Sequence, residues 1–238
     1  MSEVWLGHRA DDATPCAVKR VLPIHRNDAT ILGLFQHEIR VMQRLDDVHL
    51  PRLLSHGEAR GVPWLAMPFY RGASLRTLLA MGPLAVEPAR WLMAELADAL
   101  AAVHRAGLVH ADVSPDNVHI CADGEVLLLD FGIAVEQGST AVLRRGKACY
   151  ASTEQVAGAP LTAATDWFAF GRILAQLGVR DRDLRAHEAD ATAATAVLRA
   201  HVAHVQSLGE TQVWQAAEVR GEVVTDPGLD KGATTARP

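Results

Sequence analysis

Apolar positions in the first seventy residues come in short runs separated by polar breaks. "EVWLGH" (3–8) and "PCAVKRVL" (15–22) flank "RADDAT" and predict a β-hairpin. "NDATILGLFQHEIRVMQRL" opens on Asn/Asp, a helix N-cap pair. It then sets Ile31, Leu34, Phe35, Ile39, Met42 and Leu45 at helical spacing. "PRLLSHGEARGVPWLAMPF" predicts two strands around a turn at Arg60-Gly61.

From about Arg71 the period becomes helical. "VEPARWLMAELADALAAVHRAG" places Trp91, Leu92, Leu96, Leu100 and Val103 on one face and ends in Gly107. "VHI" and "EVLLLD" predict short strands around "CADGE", and residues 131–165 predict loop. "TDWFAFGRILAQLG" is apolar enough to predict a buried helix. A stripe through Leu184, His187, Ala191, Ala194, Leu198, Val202, Val205 and Leu208 predicts one long helix over 184–208. The last 30 residues, rich in Gly, Thr, Pro and charge, predict a mobile tail. No internal repeat is evident.

Composition narrows the class. With 49% hydrophobic and 21% charged residues in a chain of 238, a buried core is expected. A net charge of −5 without any basic run argues against a nucleic-acid partner. Three cysteines, Cys16, Cys121 and Cys149, lack CxxC spacing and fit a reducing compartment. The N-terminus has no signal-peptide pattern, and no apolar run is long enough to span a membrane, so a cytoplasmic protein is expected; signal-less secretion stays open. Of 23 basic residues only Lys19, Lys147 and Lys231 are lysines, which makes the first two worth a reason.

"HADVSPDNV" (110–118) follows the long helix and carries Asp112 and Asn117; Asp130 closes an apolar strand just before Phe131-Gly132. Lys19 ends a strand, and Glu38 lies in the helix that follows. Phosphoryl transfer needs such parts. They are a cation on the α/β-phosphates, a carboxylate holding that cation, oxygen ligands for Mg²⁺, and a group orienting the acceptor hydroxyl. Taken singly, each residue has a bland explanation. A strand lysine is ordinarily a snorkelling surface residue and a D-x-x-x-x-N pair an Asx turn. His201 and His204, at i, i+3, lack a third metal ligand and fit a solvated helix face.

Taken together, these segments resemble the eukaryotic-type protein kinases, particularly the bacterial Ser/Thr members. "AVKR" is similar to V-A-I-K, "HADVSPDN" to H-R-D-L-x-x-x-N, and "DFG" matches outright. "GKACYASTEQ" (146–155) resembles the segment ending in A-P-E, and "DWFAFG" (166–171) the helix anchoring the catalytic loop. The resemblance covers residues 3–178. It implies an α+β, bilobal kinase-like fold with a reduced β-rich N-lobe over 1–70. A shortened helical C-lobe over 71–208 and a disordered tail over 209–238 would follow.

The resemblance also implies site residues. Lys19, Glu38 and Asp112 would be catalytic, and Asn117 and Asp130 would hold Mg²⁺. Val4 and Ala17 would roof the adenine of ATP, with Met67 the gatekeeper. Pro68 would offer a hinge carbonyl and Tyr70 a hinge N–H. His119 would lie under the base, Met42, His110 and Phe131 would pack as a column, and Asp166 would brace the catalytic loop.

The pattern breaks at four places. The Gly-rich phosphate cover and first strand are not found before Val4, leaving a partner completing the N-lobe, or a misplaced start codon, as explanations. Ala111 replaces the arginine of H-R-D. Ser114 and Lys147 stand where the family has a lysine and a threonine, so a hydroxyl and an ammonium would have exchanged places. One helix replaces several at the C-terminal end. The expected function is ATP/Mg²⁺-dependent phosphorylation of Ser/Thr on a protein substrate. A nucleotide-binding or scaffolding pseudokinase, and a small-molecule phosphotransferase of the aminoglycoside or choline kinase kind, are the alternatives.

Overall fold

The computed structural model describes residues 1–9, 11–140, 148–179 and 191–207. These fall into two compact units. One comprises Met1–Gln43 with Arg52–Tyr70, and the other Arg44–Pro51 with the described residues from Arg71 to Ser207.

The first unit is a four-stranded antiparallel sheet with one helix. Strands β1 (Ser2–His8), β2 (Pro15–Val21), β3 (Ser55–Ala59) and β4 (Val62–Pro68) are ordered β1-β2-β4-β3. The β3–β4 turn works because Arg60 (φ 52°) and Gly61 (φ 76°) both adopt the left-handed conformation a two-residue hairpin requires. Helix α1 (Ala29–Met42) begins where the Asp28 carboxylate accepts hydrogen bonds from Thr30 N and Ile31 N. Its apolar face, Phe35, Ile39 and Met42, packs with Ala17, Val21, Leu65 and Met67 of the sheet. Each large side chain sealed there contributes about 1.5–3 kcal/mol.

The second unit is built on β5 (Gly72–Ser74), α2 (Leu75–Met81) and α3 (Val86–Arg105). It continues through β6 (Leu108–Val109), β7 (Val118–Cys121), β8 (Val126–Leu128) and β9 (Val135–Glu136) to α4 (Thr153–Ala157), α5 (Ala163–Gln176) and α6 (Ala191–Ser207). Leu92, Met93, Leu96, Ala99, Leu100 and Val103 of α3 are fully sealed, and α6 packs against α3 with Ala194, Leu198 and Val202 buried. No helix among the described residues is long and apolar enough to cross a membrane.

The secondary structure departs from expectation in several places. The two strands expected at 118–120 and 125–130 have a third neighbour, β5, whose three residues carry no periodic signal. Residues 131–165 are not all loop: β9 pairs with β6, and α4 forms on a capping box between Ser152 and Gln155. Trp91 is only half-buried. Helix α5 is not sealed either, since Trp167 and Phe168 are 40% and 45% exposed. It buries only Thr165, Asp166, Ala169 and Ile173, one side of the helix. The long C-terminal helix is described from Ala191 to Ser207; residues 184–190, Leu208 and the expected tail lie outside the described residues.

Segment Arg44–Pro51 is counted with the second unit because it is tied there. Leu128 N donates to His49 O (2.9 Å), the His49 ring lies between Asp47 and Glu95, and Arg44 Nη2 donates to Ala106 O (2.7 Å).

Candidate active site

In the first unit the sheet register gathers the expected residues on one face. Val4 lies opposite Lys19, and Ala17 opposite Met67, so with the two-residue period all four share a face. Helix α1 brings Glu38 to that face: Lys19 Nζ donates to Glu38 Oε1 at 2.6 Å, with side chains 13% and 5% exposed. Two residues 19 apart in sequence thus form one desolvated ion pair. Pro68 ends β4 opposite Cys16, and the Tyr70 hydroxyl accepts from Arg52 N at 3.0 Å.

In the second unit the segment His110–Asn117 is held by side chains from distant elements. Asp166 on α5 is 1% exposed and accepts from His110 N (2.8 Å) and Ala111 N (2.9 Å), with His104 Nε2 at 2.9 Å. Ala111 needs that support, because its φ of 64° is strained for a residue with a Cβ. The ring of His110 packs edge-on to Phe131, with centroids 4.7 Å apart. Asp112 N donates to His110 Nδ1 (3.2 Å), so the other ring nitrogen is the protonated one, and it donates to Leu129 O (3.1 Å).

Asn117 Nδ2 donates to both Asp112 O (2.8 Å) and Asp112 Oδ2 (2.9 Å), fixing the Asp112 carboxylate and turning its own amide oxygen the other way. Leu129 N donates to Asn117 O (2.8 Å), which ties the loop to the residue before Asp130. Asp130, with φ 66°, is the second strained non-glycine of the region and accepts from Gly132 N at 3.3 Å. A carboxylate and an amide oxygen are the hard ligands that Mg²⁺ takes, so the donor set fits that ion.

Ser114 is fully buried and its carbonyl accepts from Asn117 N (2.9 Å) and Val118 N (3.2 Å). His119 is 1% exposed on β7, opposite Ser74. Its ring fills the space over Gly72, where an added Cβ would stand 2.6 Å from His119 Nε2. Lys147 lies outside the described residues.

Several features were missed from the sequence. Arg76 on α2 donates to Asp116 Oδ2 (3.0 Å), and this bond above all raises the Arg76 pKa. Glu154 accepts from the Thr165 hydroxyl (2.8 Å). Burial works against ionised Glu154, yet hydrogen bonds from its own N–H, Thr165 and Ser152 hold its pKa below the ordinary range. Gln155 reaches from α4 to Ala111 O in the segment His110–Asn117; its signal was the S-x-x-Q spacing of a capping box, legible at 152–155. Burial, then Asp123 and Glu125, push the Cys121 thiol up to about 12, which disfavours its thiolate.

Residues 1–222 match the protein kinase domain family. The probable serine/threonine-protein kinase PkwA of Thermomonospora curvata is 33% identical over 180 residues, 74% of this chain and 24% of that one. PknA of Corynebacterium glutamicum is 32% identical over 181 residues, 72% of this chain and 39% of the relative. PknL of Mycobacterium tuberculosis is 34% identical over 169 residues, 68% and 42% respectively. The chain therefore spans between a quarter and about two fifths of the length of these relatives.

Proposed function

The chain belongs to the protein kinase domain family, and from that premise we propose that it transfers the γ-phosphoryl group of ATP, with Mg²⁺, to Ser or Thr hydroxyls of a protein substrate. The observation that carries this reading is the Lys19–Glu38 pair at 2.6 Å. Desolvating two charges costs several kcal/mol per ion, so such a pair is a poor stabiliser. It is an effective way to present one ammonium at a fixed point to phosphate oxygens. The serine/threonine-kinase names of PkwA, PknA and PknL support the same substrate class.

Bound Mg²⁺ and ATP would supply the transferable phosphoryl group. Lys19, steadied by Glu38, would bind the α/β-phosphate oxygens. Asp130 and the Asn117 amide oxygen would ligate the metal. Asp112, its carboxylate fixed by Asn117 Nδ2, would accept the hydrogen bond of the incoming hydroxyl and take its proton. Val4, Ala17 and Met67 offer an apolar patch beside Lys19 for the purine, with the Pro68 carbonyl and Tyr70 N–H as hydrogen-bonding partners. Ser114 and Lys147 remain candidates for steadying the transferred group.

Incubation with γ-labelled ATP, Mg²⁺ and a generic protein acceptor tests the proposal. Wild type should label the acceptor. Asp112→Ala should cut the rate about 10²–10⁴-fold, and Asp130→Ala should lose labelling and the metal dependence of nucleotide binding. Nucleotide binding without any transfer by wild type would favour the pseudokinase instead.

A further inference from the structure

Resting on the kinase reading, we infer that Gln155 is a positioning residue for Asp112: its side-chain amide clamps the peptide that precedes the catalytic carboxylate. The Ala111–Asp112 peptide has two polar groups, and both are held. Its N–H donates to His110 Nδ1 at 3.2 Å, and its carbonyl accepts from Gln155 Nε2 at 2.7 Å. The orientation of that peptide sets the direction in which Asp112 leaves the backbone. Ala111 has φ 64°, so the plane is kept in a conformation an alanine does not choose unaided.

Gln155 is itself fixed. Its Oε1 accepts from Ser152 N at 3.0 Å as half of the α4 capping box, leaving Nε2 to point at Ala111 O. A backbone donor on one side and a backbone acceptor on the other permit only one orientation of the amide. Ser152 and Ala111 are 1% and 4% exposed, so water competes little for these bonds. Asp166 accepts from the Ala111 N–H (2.9 Å). The strained residue thus hangs between two side chains from different helices, α4 and α5. The bonds of Gln155 to Ser152 N and Ala111 O are both between neutral groups.

The substitution Gln155→Glu separates the two halves of the device. A carboxylate still accepts from Ser152 N, preserving the capping box, but it turns an oxygen instead of a donor towards Ala111 O. With wild type active, the variant should lose about 10- to 100-fold in kcat, because the acceptor-orienting group is misaimed. Its KM for ATP should be unchanged and its thermal midpoint nearly so. The ratio of variant to wild-type kcat should recover as pH falls from 8 towards 5.5, because a protonated carboxyl regains an O–H donor for the carbonyl. Equal turnover, or a loss that is flat with pH, overturns the inference.

If wild type transfers no phosphate, the kinase reading fails separately, and hydrogen exchange decides the clamp. The Asp112 amide should exchange about tenfold faster in Gln155→Glu than in wild type, while Ser152 N stays protected. Identical exchange at Asp112 overturns it. If the carboxylate variant does not fold, Gln155→Met, which removes both bonds without adding charge, should likewise lower kcat and speed exchange of the Asp112 amide, with a loss that does not vary with pH; wild-type kcat and exchange in that variant overturn the inference.

Discussion

His49 offers a perturbation whose sign and size follow from geometry. Its Nδ1 lies 2.9 Å from Asp47 Oδ1 and its Nε2 3.1 Å from Glu95 Oε2. Both neighbours only accept, so both ring nitrogens donate best when the ring is an imidazolium. Burial lowers the His49 pKa, but the hydrogen bonds to Asp47 and Glu95 outweigh it and the net shift is upward. A raised folded-state pKa gives stability that is complete below the ordinary value near 6.5 and lost as pH rises through the raised one. Burial likewise opposes ionised Asp47, yet the His49 backbone and ring hold its pKa down. Its contribution is therefore present above about pH 4 and fades on acidification. The cluster is strongest between those limits.

The substitution His49→Gln keeps the length and one donor group but no charge. A hydrogen bond to a charged group is worth about 1.5–3 kcal/mol. Side-chain exposures of 19%, 21% and 26% for His49, Asp47 and Glu95 favour the low end. The variant should lose about 1.5 kcal/mol at pH 6, or roughly 3–6 °C in Tm for a chain of this size. At pH 8.5 the wild-type ring is further along its titration and donates less, so the gap should be narrower, falling towards about 0.5 kcal/mol as the ring gives up a donor. Differential scanning calorimetry at the two pH values measures it. A gap that is the same at both, or wider at pH 8.5, refutes the argument.

Two further outcomes follow from contacts already described. Lys19→Ala and Glu38→Ala should each lower phosphoryl transfer sharply, and the double variant should fall little below the worse single one, since the two act as one unit; steady-state kinetics on the four proteins would show simple summation if the pair did not act together. Gly72→Ala should destabilise by about 1–3 kcal/mol in urea unfolding, because the new Cβ would meet Ile120 O at 2.2 Å, a backbone atom that cannot step aside; an unchanged midpoint would show that β5 shifts freely.

The local sequence was enough for elements whose signal is periodic. Asp28 capping α1, the Arg60-Gly61 turn and the sealed face of α3 all follow from residues within a few positions of one another. The motif order also pointed to Lys19, Glu38, Asp112, Asn117 and Asp130, because phosphoryl transfer constrains residue type. Sequence alone could not supply partners chosen by packing. The three residues of β5 become a strand only because β7 offers its edge. Helix α5 looked buried by composition, but how much of Trp167 and Phe168 is covered depends on what surrounds them. Gln155 is legible as a cap, and only the fold reveals that the same amide also holds Ala111 O, 44 residues away. The bond from Asp166 to Ala111 spans 55 residues. A left-handed alanine costs free energy wherever it occurs, and no local pattern announces it; it persists here because two distant side chains satisfy its N–H and C=O at once.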